Sequence, residues 1–89
     1  MRLLDITKKA DEFISALQAK QFKQVYSAII RLRNNPRPHD SQSLHGYKDY
    51  FRVDVGEFRV IYKFDAKVVY ITVVGKRNDD DVYKRLDRS

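Results

Sequence analysis

The chain has no cysteine and no tryptophan, and only three glycines, two prolines and one methionine in 89 residues. Without cysteine there are no disulfides, no thiolate nucleophile and no cysteine-ligated zinc. That absence suits a reducing compartment, and we expect a cytoplasmic protein. No apolar run approaches the ~20 residues a membrane span needs. The opening MRLLDITKKADEF carries charges every few residues, unlike a secretory signal. There is no phosphate-binding glycine loop, no GxSxG and no HExxH. His39 and His45 lie six apart with no companion ligands, so no metal or other cofactor is expected. Repeats, low-complexity segments and linkers are also missing, which leaves one domain spanning 1–89.

What is present is the composition of a small globular domain: 43% hydrophobic, with six tyrosines and five phenylalanines to fill a core. A domain of this size buries only about 60% of the surface its unfolded chain exposes, so its stability is modest. The formal net charge is +6. Such a balance favours a polyanion, nucleic acid above all, or an acidic protein partner.

Periodicity divides the chain in two. Residues 2–6 (RLLDI) read as a short strand, and Thr7 as a helix N-cap. Ala10, Phe13, Ile14 and Leu17 then recur at helical spacing, as do Phe22, Val25, Tyr26, Ile29 and Leu32. Two antiparallel amphipathic helices are predicted, over 8–19 and 21–34. Asn34-Asn35-Pro36-Arg37-Pro38 stops the second, because proline cannot continue a helix. Residues 35–46 read as a loop. From Tyr47 the period becomes two, and YKDYFRVDV, EFRVIYKF and KVVYITVV read as strands joined by the short turns Gly56-Glu57 and Asp65-Ala66. The fold class is α+β: an N-terminal strand and a two-helix hairpin packed on a three- to four-stranded antiparallel sheet, closed by a short C-terminal helix.

Two-residue turns fix a register. They set Val55 opposite Phe58, Asp54 opposite Arg59, Arg59 opposite Thr72 and Ile61 opposite Tyr70. Alternation then puts Phe51, Val53, Val55, Phe58, Val60, Tyr62, Val69, Ile71 and Val73 on the core face. The open face receives Arg52, Asp54, Arg59, Tyr70 and Thr72, with Ile61 among them. An ordinary cross-strand ion pair between Asp54 and Arg59, worth ~0.2–1 kcal/mol, accounts for two of these residues. Two arginines on a valine-rich sheet also offer planar donor forks suited to phosphate.

The stretch GKRNDDDVY follows the last strand. Alternation stops at Gly75, so it does not orient Lys76 and Arg77, but chain length leaves both within reach of the open face. Asn78 or Asp79 caps the C-terminal helix, and Asp79, Asp80 and Asp81 fill its first turn, where the helix dipole favours negative charge. This accounts for the acidic triplet better than metal binding does. Tyr83 and Leu86 share one face of that helix. Tyr83 is either core or an aromatic platform for a base.

The string LHGYKDYFRVDVGEFRVIYKFDAKVVYITVVGKRNDDDVYKRL resembles the RelE/ParE superfamily of bacterial toxins from type II toxin–antitoxin pairs. The resemblance rests on a YxR-type strand, Gly56 followed by FRVIY, a valine-rich strand, and VGKR with Tyr83 six residues after Arg77. Together with the helical hairpin it covers essentially the whole chain. The spacing from Arg77 to Tyr83 favours the RelE branch over the ParE branch, which targets DNA gyrase. The resemblance implies a ribosome-dependent endoribonuclease that cuts mRNA in the A site without metal, the 2′-hydroxyl attacking the adjacent phosphate. It implies that Arg59 and Arg77 hold the scissile phosphate, that Tyr83 orients the substrate, and that Arg52, Lys48 and Lys76 contact RNA. It also implies a cognate RelB-like antitoxin, an oligomeric complex with that antitoxin, and no membrane partner. Asp54 departs from the pattern, standing where relatives often carry a second basic residue. Two readings stay open: the face is short of a cation, or Asp54 is the general base. The alternative function is a non-nucleolytic, ParE-like gyrase inhibitor.

Overall fold

A computed structural model describes residues 1–78 and 81–88. The elements are β1 (Leu3–Ile6), α1 (Lys8–Ser15), α2 (Ala19–Leu32), β2 (Gln42–Ser43), β3 (Phe51–Val55), β4 (Phe58–Phe64), β5 (Val68–Lys76) and α3 (Asp81–Arg88). The expected architecture is present, in one five-stranded sheet of order β1-β5-β4-β3-β2. β1 joins β5 in parallel and the other pairs are antiparallel. The fifth strand is β2, two residues inside the segment read as a loop, too short to show any alternation.

Local chemistry sets the boundaries. Thr7 caps α1: its Oγ1 accepts from the Ala10 N–H at 3.2 Å and donates to the Thr72 carbonyl at 2.8 Å. One residue thus starts the helix and ties it to β5. In α2, Val25, Ile29 and Leu32 are buried. Phe22 and Tyr26 share the apolar spacing but lie on the outer side, 37% and 40% exposed, with their rings stacked on each other. Gly56 takes φ 59°, a left-handed conformation that the tight β3–β4 turn requires. All five β3–β4 pairs follow the predicted register, from Val55 opposite Phe58 to Phe51 opposite Tyr62.

The second hairpin departs from expectation. The Asp65 carboxylate accepts from the Lys67 and Val68 N–H groups, both at 2.8 Å, and this side-chain turn sets Phe64 opposite Val69. A bulge between Ile61 and Tyr62 then offsets the ladder by one. Arg59 therefore faces Gly75 rather than Thr72, and Ile61 faces Val73 rather than Tyr70. The offset moves Val73 off the core face expected for it and turns Val74 toward the helices.

The sheet consequently has apolar clusters on both sides. On the α1–α2 side Ile14, Val25, Ile29 and Leu32 meet Val53, Phe58, Val60, Tyr62, Val69, Ile71 and Val74. On the face expected to be open, Ile61 and Val73 pack with Leu44, Val82 and Leu86, flanked by Tyr47, Tyr50 and Tyr83. Each fully buried aliphatic side chain contributes ~1.5–3 kcal/mol, so the second cluster is enough to seat α3. Gly75 makes that seating possible: a Cβ there would collide with Arg85 Nη2 and Val82 Cγ1. The helix begins at Asp81. The capping and first-turn roles expected of Asp79 and Asp80 lie outside the described residues.

Candidate active site

The hairpin register and the docked α3 bring Asp54 and Tyr83 together around Arg59. Its Nε donates to Asp54 Oδ1 at 2.8 Å and its Nη2 donates to Oδ2 at 3.3 Å. Its Nη1 donates to the Tyr83 hydroxyl at 2.9 Å. The first two bonds come from the β3–β4 pairing, which sets residues 54 and 59 side by side. The third depends on α3, whose Val82 and Leu86 hold Tyr83 over the end of the sheet. A guanidinium engaging both oxygens of a carboxylate is the strong, planar form of this contact.

Arg52 lies one alternation step along β3. Its Nη1 stands 3.8 Å from Asp54 Oδ2, and its Nη2 donates to Gln42 Oε1 at 2.6 Å. Arg77 follows β5. Its N–H donates to the Glu57 carbonyl and its Nη1 to the Gly56 carbonyl, which fixes this exposed residue against the β3–β4 turn. The Asp54 carboxyl is held below the usual carboxylate range, first by the hydrogen bond from Arg59, with Arg52 and Arg77 adding attraction and partial burial opposing. It is therefore ionised at neutral pH.

The remaining candidates fall in different places. Lys48 is exposed in the turn after Tyr47, whose ring stacks with Tyr83 at 6.4 Å. Lys76 pairs with Phe58, so strand alternation puts it on the face opposite Arg59, at the edge of the α1–α2 side. The bulge is the cause, since it reverses the parity of the last strand. Thr72 and Tyr70 are not part of the constellation either. Thr72 is buried beside Thr7, and Tyr70 pairs with Lys63 at the other end of the sheet.

Three residues not singled out in the sequence support the site. Gln42 holds Arg52, Tyr47 stacks on Tyr83, and Asp87 accepts from the Tyr47 hydroxyl at 2.7 Å. A cleft of about 460 Å³ opens beside them, lined by Gln42, Ser43, Leu44, His45, Tyr47, Arg52 and Tyr83. His39 and His45 are both exposed. Among the described residues no group of three or more His, Cys, Asp or Glu side chains is arranged to hold a metal, and no helix is long and apolar enough to cross a membrane.

This arrangement can bind an anion through guanidinium groups, exchange a proton at a carboxylate and orient a substrate with a phenol. Comparison with known proteins gives these groups a setting. The model of the family described as the ParE toxin of the type II toxin–antitoxin system parDE matches residues 3–81. No curated protein matches the sequence. The fold is similar to that of the isolated E. coli RelE toxin, with a TM-score of 0.75 at 23% identity over 99% of this chain and 97% of that one. It is similar to a chain of the intact E. coli RelBE toxin–antitoxin complex, with a TM-score of 0.74 at 24% identity over 85% and 96%. It also matches a chain of the archaeal RelE–RelB complex from Pyrococcus horikoshii, with a TM-score of 0.74 at 24% identity over 85% and 94%.

Proposed function

Since this chain belongs to the ParE toxin family of type II toxin–antitoxin systems, within the RelE/ParE superfamily, we propose that its toxic activity is that of a ribosome-dependent endoribonuclease. It cuts mRNA in the A site and so stops translation. The observation that carries the reading is the convergence of Arg59, Asp54 and Tyr83 on one sheet face, with Arg52 and Arg77 beside them.

Phosphodiester cleavage by an internal 2′-hydroxyl needs positive charge at the phosphoryl oxygens, a proton acceptor and a proton donor. Arg59 and Arg77 supply the charge. Asp54 is the carboxylate available to accept the proton. Tyr83 stacks on or hydrogen-bonds the substrate, and Arg52 and Lys48 extend the basic surface along the RNA. Lys76, on the other sheet face, contributes to the field and not to the reacting phosphate. The partner that neutralises this +6 surface is a cognate RelB-like antitoxin in an oligomeric complex, consistent with the RelB-bound toxins that share the fold.

Primer extension on a defined mRNA in a translating extract tests the reading. Wild type is expected to cut inside codons only when ribosomes are present, and Arg77→Ala to give no cuts. The second reading, a gyrase inhibitor, is favoured by the ParE family match and by the carboxylate already occupying Arg59. It requires intact transcripts together with a DNA-damage response.

A further inference from the structure

We propose that Asp54 and the RNA phosphate exchange on the Arg59 fork, and that the carboxylate so displaced is the group that takes the 2′-hydroxyl proton. This rests on the nuclease reading and assigns the order of events at that site.

The geometry begins with an occupied fork. Nε and Nη2 of Arg59 face both oxygens of Asp54, and a planar donor pair that fits a carboxylate fits two phosphate oxygens equally well. An anion of the protein's own thus stands where the substrate's anion would bind. The remaining arm of Arg59 is held from behind by the Tyr83 hydroxyl, and the Tyr83 ring is anchored against the cluster under α3. The guanidinium can therefore keep its position while its partner changes.

The displaced carboxylate also has somewhere to go. Arg52 Nη1, at 3.8 Å, is just beyond hydrogen-bond distance, and Gln42 fixes the Arg52 head from its other side. A small rotation of Asp54 away from Arg59 closes that gap. The charged groups around Asp54 are Arg59 from β4, Arg52 from β3 and Arg77 after β5. Arg31 and Asp40 line, with Val53, Asp54 and Val55, a cavity beside β3.

Exchange changes the chemistry of the carboxylate. In the grip of Arg59 it is a weak base, and that hydrogen bond is the first cause of its low affinity for protons. Losing the bond to an incoming phosphate and gaining a negative neighbour raise its basicity, and the attraction of Arg52 offsets only part of that gain. The base is thus poor in the empty site and improves when RNA fills it. In the step that follows, the 2′-oxygen bonds to phosphorus as the bond to the 5′-oxygen breaks. The 2′-hydroxyl proton passes to Asp54, the departing oxygen takes a proton from water, and Asp54 returns its proton to the hydroxide so formed. The products are a 2′,3′-cyclic phosphate and a 5′-hydroxyl.

The test follows the Asp54 carboxyl by ¹³C NMR through a pH titration, with and without a short RNA whose riboses are all 2′-O-methylated and so cannot be cut. The titration midpoint is expected to move upward when the RNA is added. Asp54→Asn is expected to bind that RNA about tenfold more tightly than wild type, a difference of about 1.4 kcal/mol. It should also cut mRNA at least ~100-fold more slowly in a translating extract. If wild type cuts mRNA but the midpoint does not move and the two proteins bind equally, the exchange is wrong and the nuclease reading stands. If wild type cuts no mRNA, the nuclease reading falls and the exchange falls with it. The NMR measurement uses the wild-type protein, so it does not depend on the variant folding.

Discussion

Arg59 meets Asp54 through two parallel hydrogen bonds and Tyr83 through a third, so a single guanidinium joins β3, β4 and α3. The first two bonds are set by a two-residue turn and the third by the packing of a helix that follows β5. The candidate site is therefore also a structural joint. Substitutions here separate into those that loosen the joint and those that remove chemistry alone.

Arg59→Lys keeps the charge and loses the fork. Lysine cannot serve both oxygens of Asp54 and the Tyr83 hydroxyl from one planar group. We expect mRNA cleavage to fall by at least ~100-fold. Unfolding in urea should show a loss of about 1–2 kcal/mol, because Asp54 loses a charge-assisted bond. Retention of full cleavage would show that a point charge is enough.

Arg77→Ala should act differently. The side chain is exposed and its bond to the Gly56 carbonyl is long at 3.3 Å. Stability should stay within about 0.5 kcal/mol of wild type while cleavage is lost. Thermal melts run beside the primer-extension assay check the pair of outcomes. A large drop in melting temperature would make Arg77 a structural residue of the β3–β4 turn.

For Tyr83→Phe the ring remains packed beside Tyr47 and the cluster under α3, and only the hydroxyl is removed. Folding should change by about 1 kcal/mol or less. Cleavage should fall by ~10-fold or more if the hydroxyl fixes Arg59 during the reaction. Unchanged cleavage would leave Tyr83 as a stacking platform alone.

Stability should depend on acid through Asp54. Its folded pKa lies below the ordinary value of 3.8, chiefly through Arg59. A lowered folded pKa contributes stability that is fully present above the unfolded value and is lost as pH falls through the folded one. Asp65 shifts in the same direction, through the backbone N–H groups of Lys67 and Val68. The melting temperature should therefore hold from neutrality to about pH 4 and fall below it. Asp54→Asn should lower the neutral plateau and flatten the acid decline. An identical decline in that variant would remove Asp54 from the explanation.

Gly75→Ala should release α3. The new methyl group would meet Arg85 and Val82, so the helix must lift or shift. Amide exchange is expected to quicken across α3 while protection in α2 stays as in wild type. Cleavage should fall with it, since Tyr83 rides on that helix.

The sequence makes one half of this site readable. The Gly56-Glu57 turn permits a single close register, and Asp54 beside Arg59 follows from counting. The other half depends on two features that alternation cannot reveal. Asp65 builds a side-chain turn, and the bulge at Ile61/Tyr62 reverses the parity of β5. Those two changes bury Ile61 with Val73, make a floor for α3 and send Lys76 to the far face. Gln42, Tyr47 and Asp87 are not legible for a different reason: Gln42 reaches Arg52 across the β2–β3 loop, Tyr47 meets Tyr83 and Asp87 across three intervening strands, and neither spacing nor composition links them. The alignment of Tyr83 with Arg59 came from resemblance to the toxin superfamily and not from periodicity.

The parallel pairing of β1 with β5 has a consequence for how the protein is made. Leu3 waits for Val68 before its strand has a neighbour, and Tyr83 is added fifteen residues later. Contacts this distant along the chain form late, because the intervening loop must close first. The Arg59–Tyr83 contact therefore belongs to the last contacts the chain makes, after β5 and α3 exist. Under the proposed nuclease reading, the reactive fork gains its tyrosine only when the rest of the fold is in place.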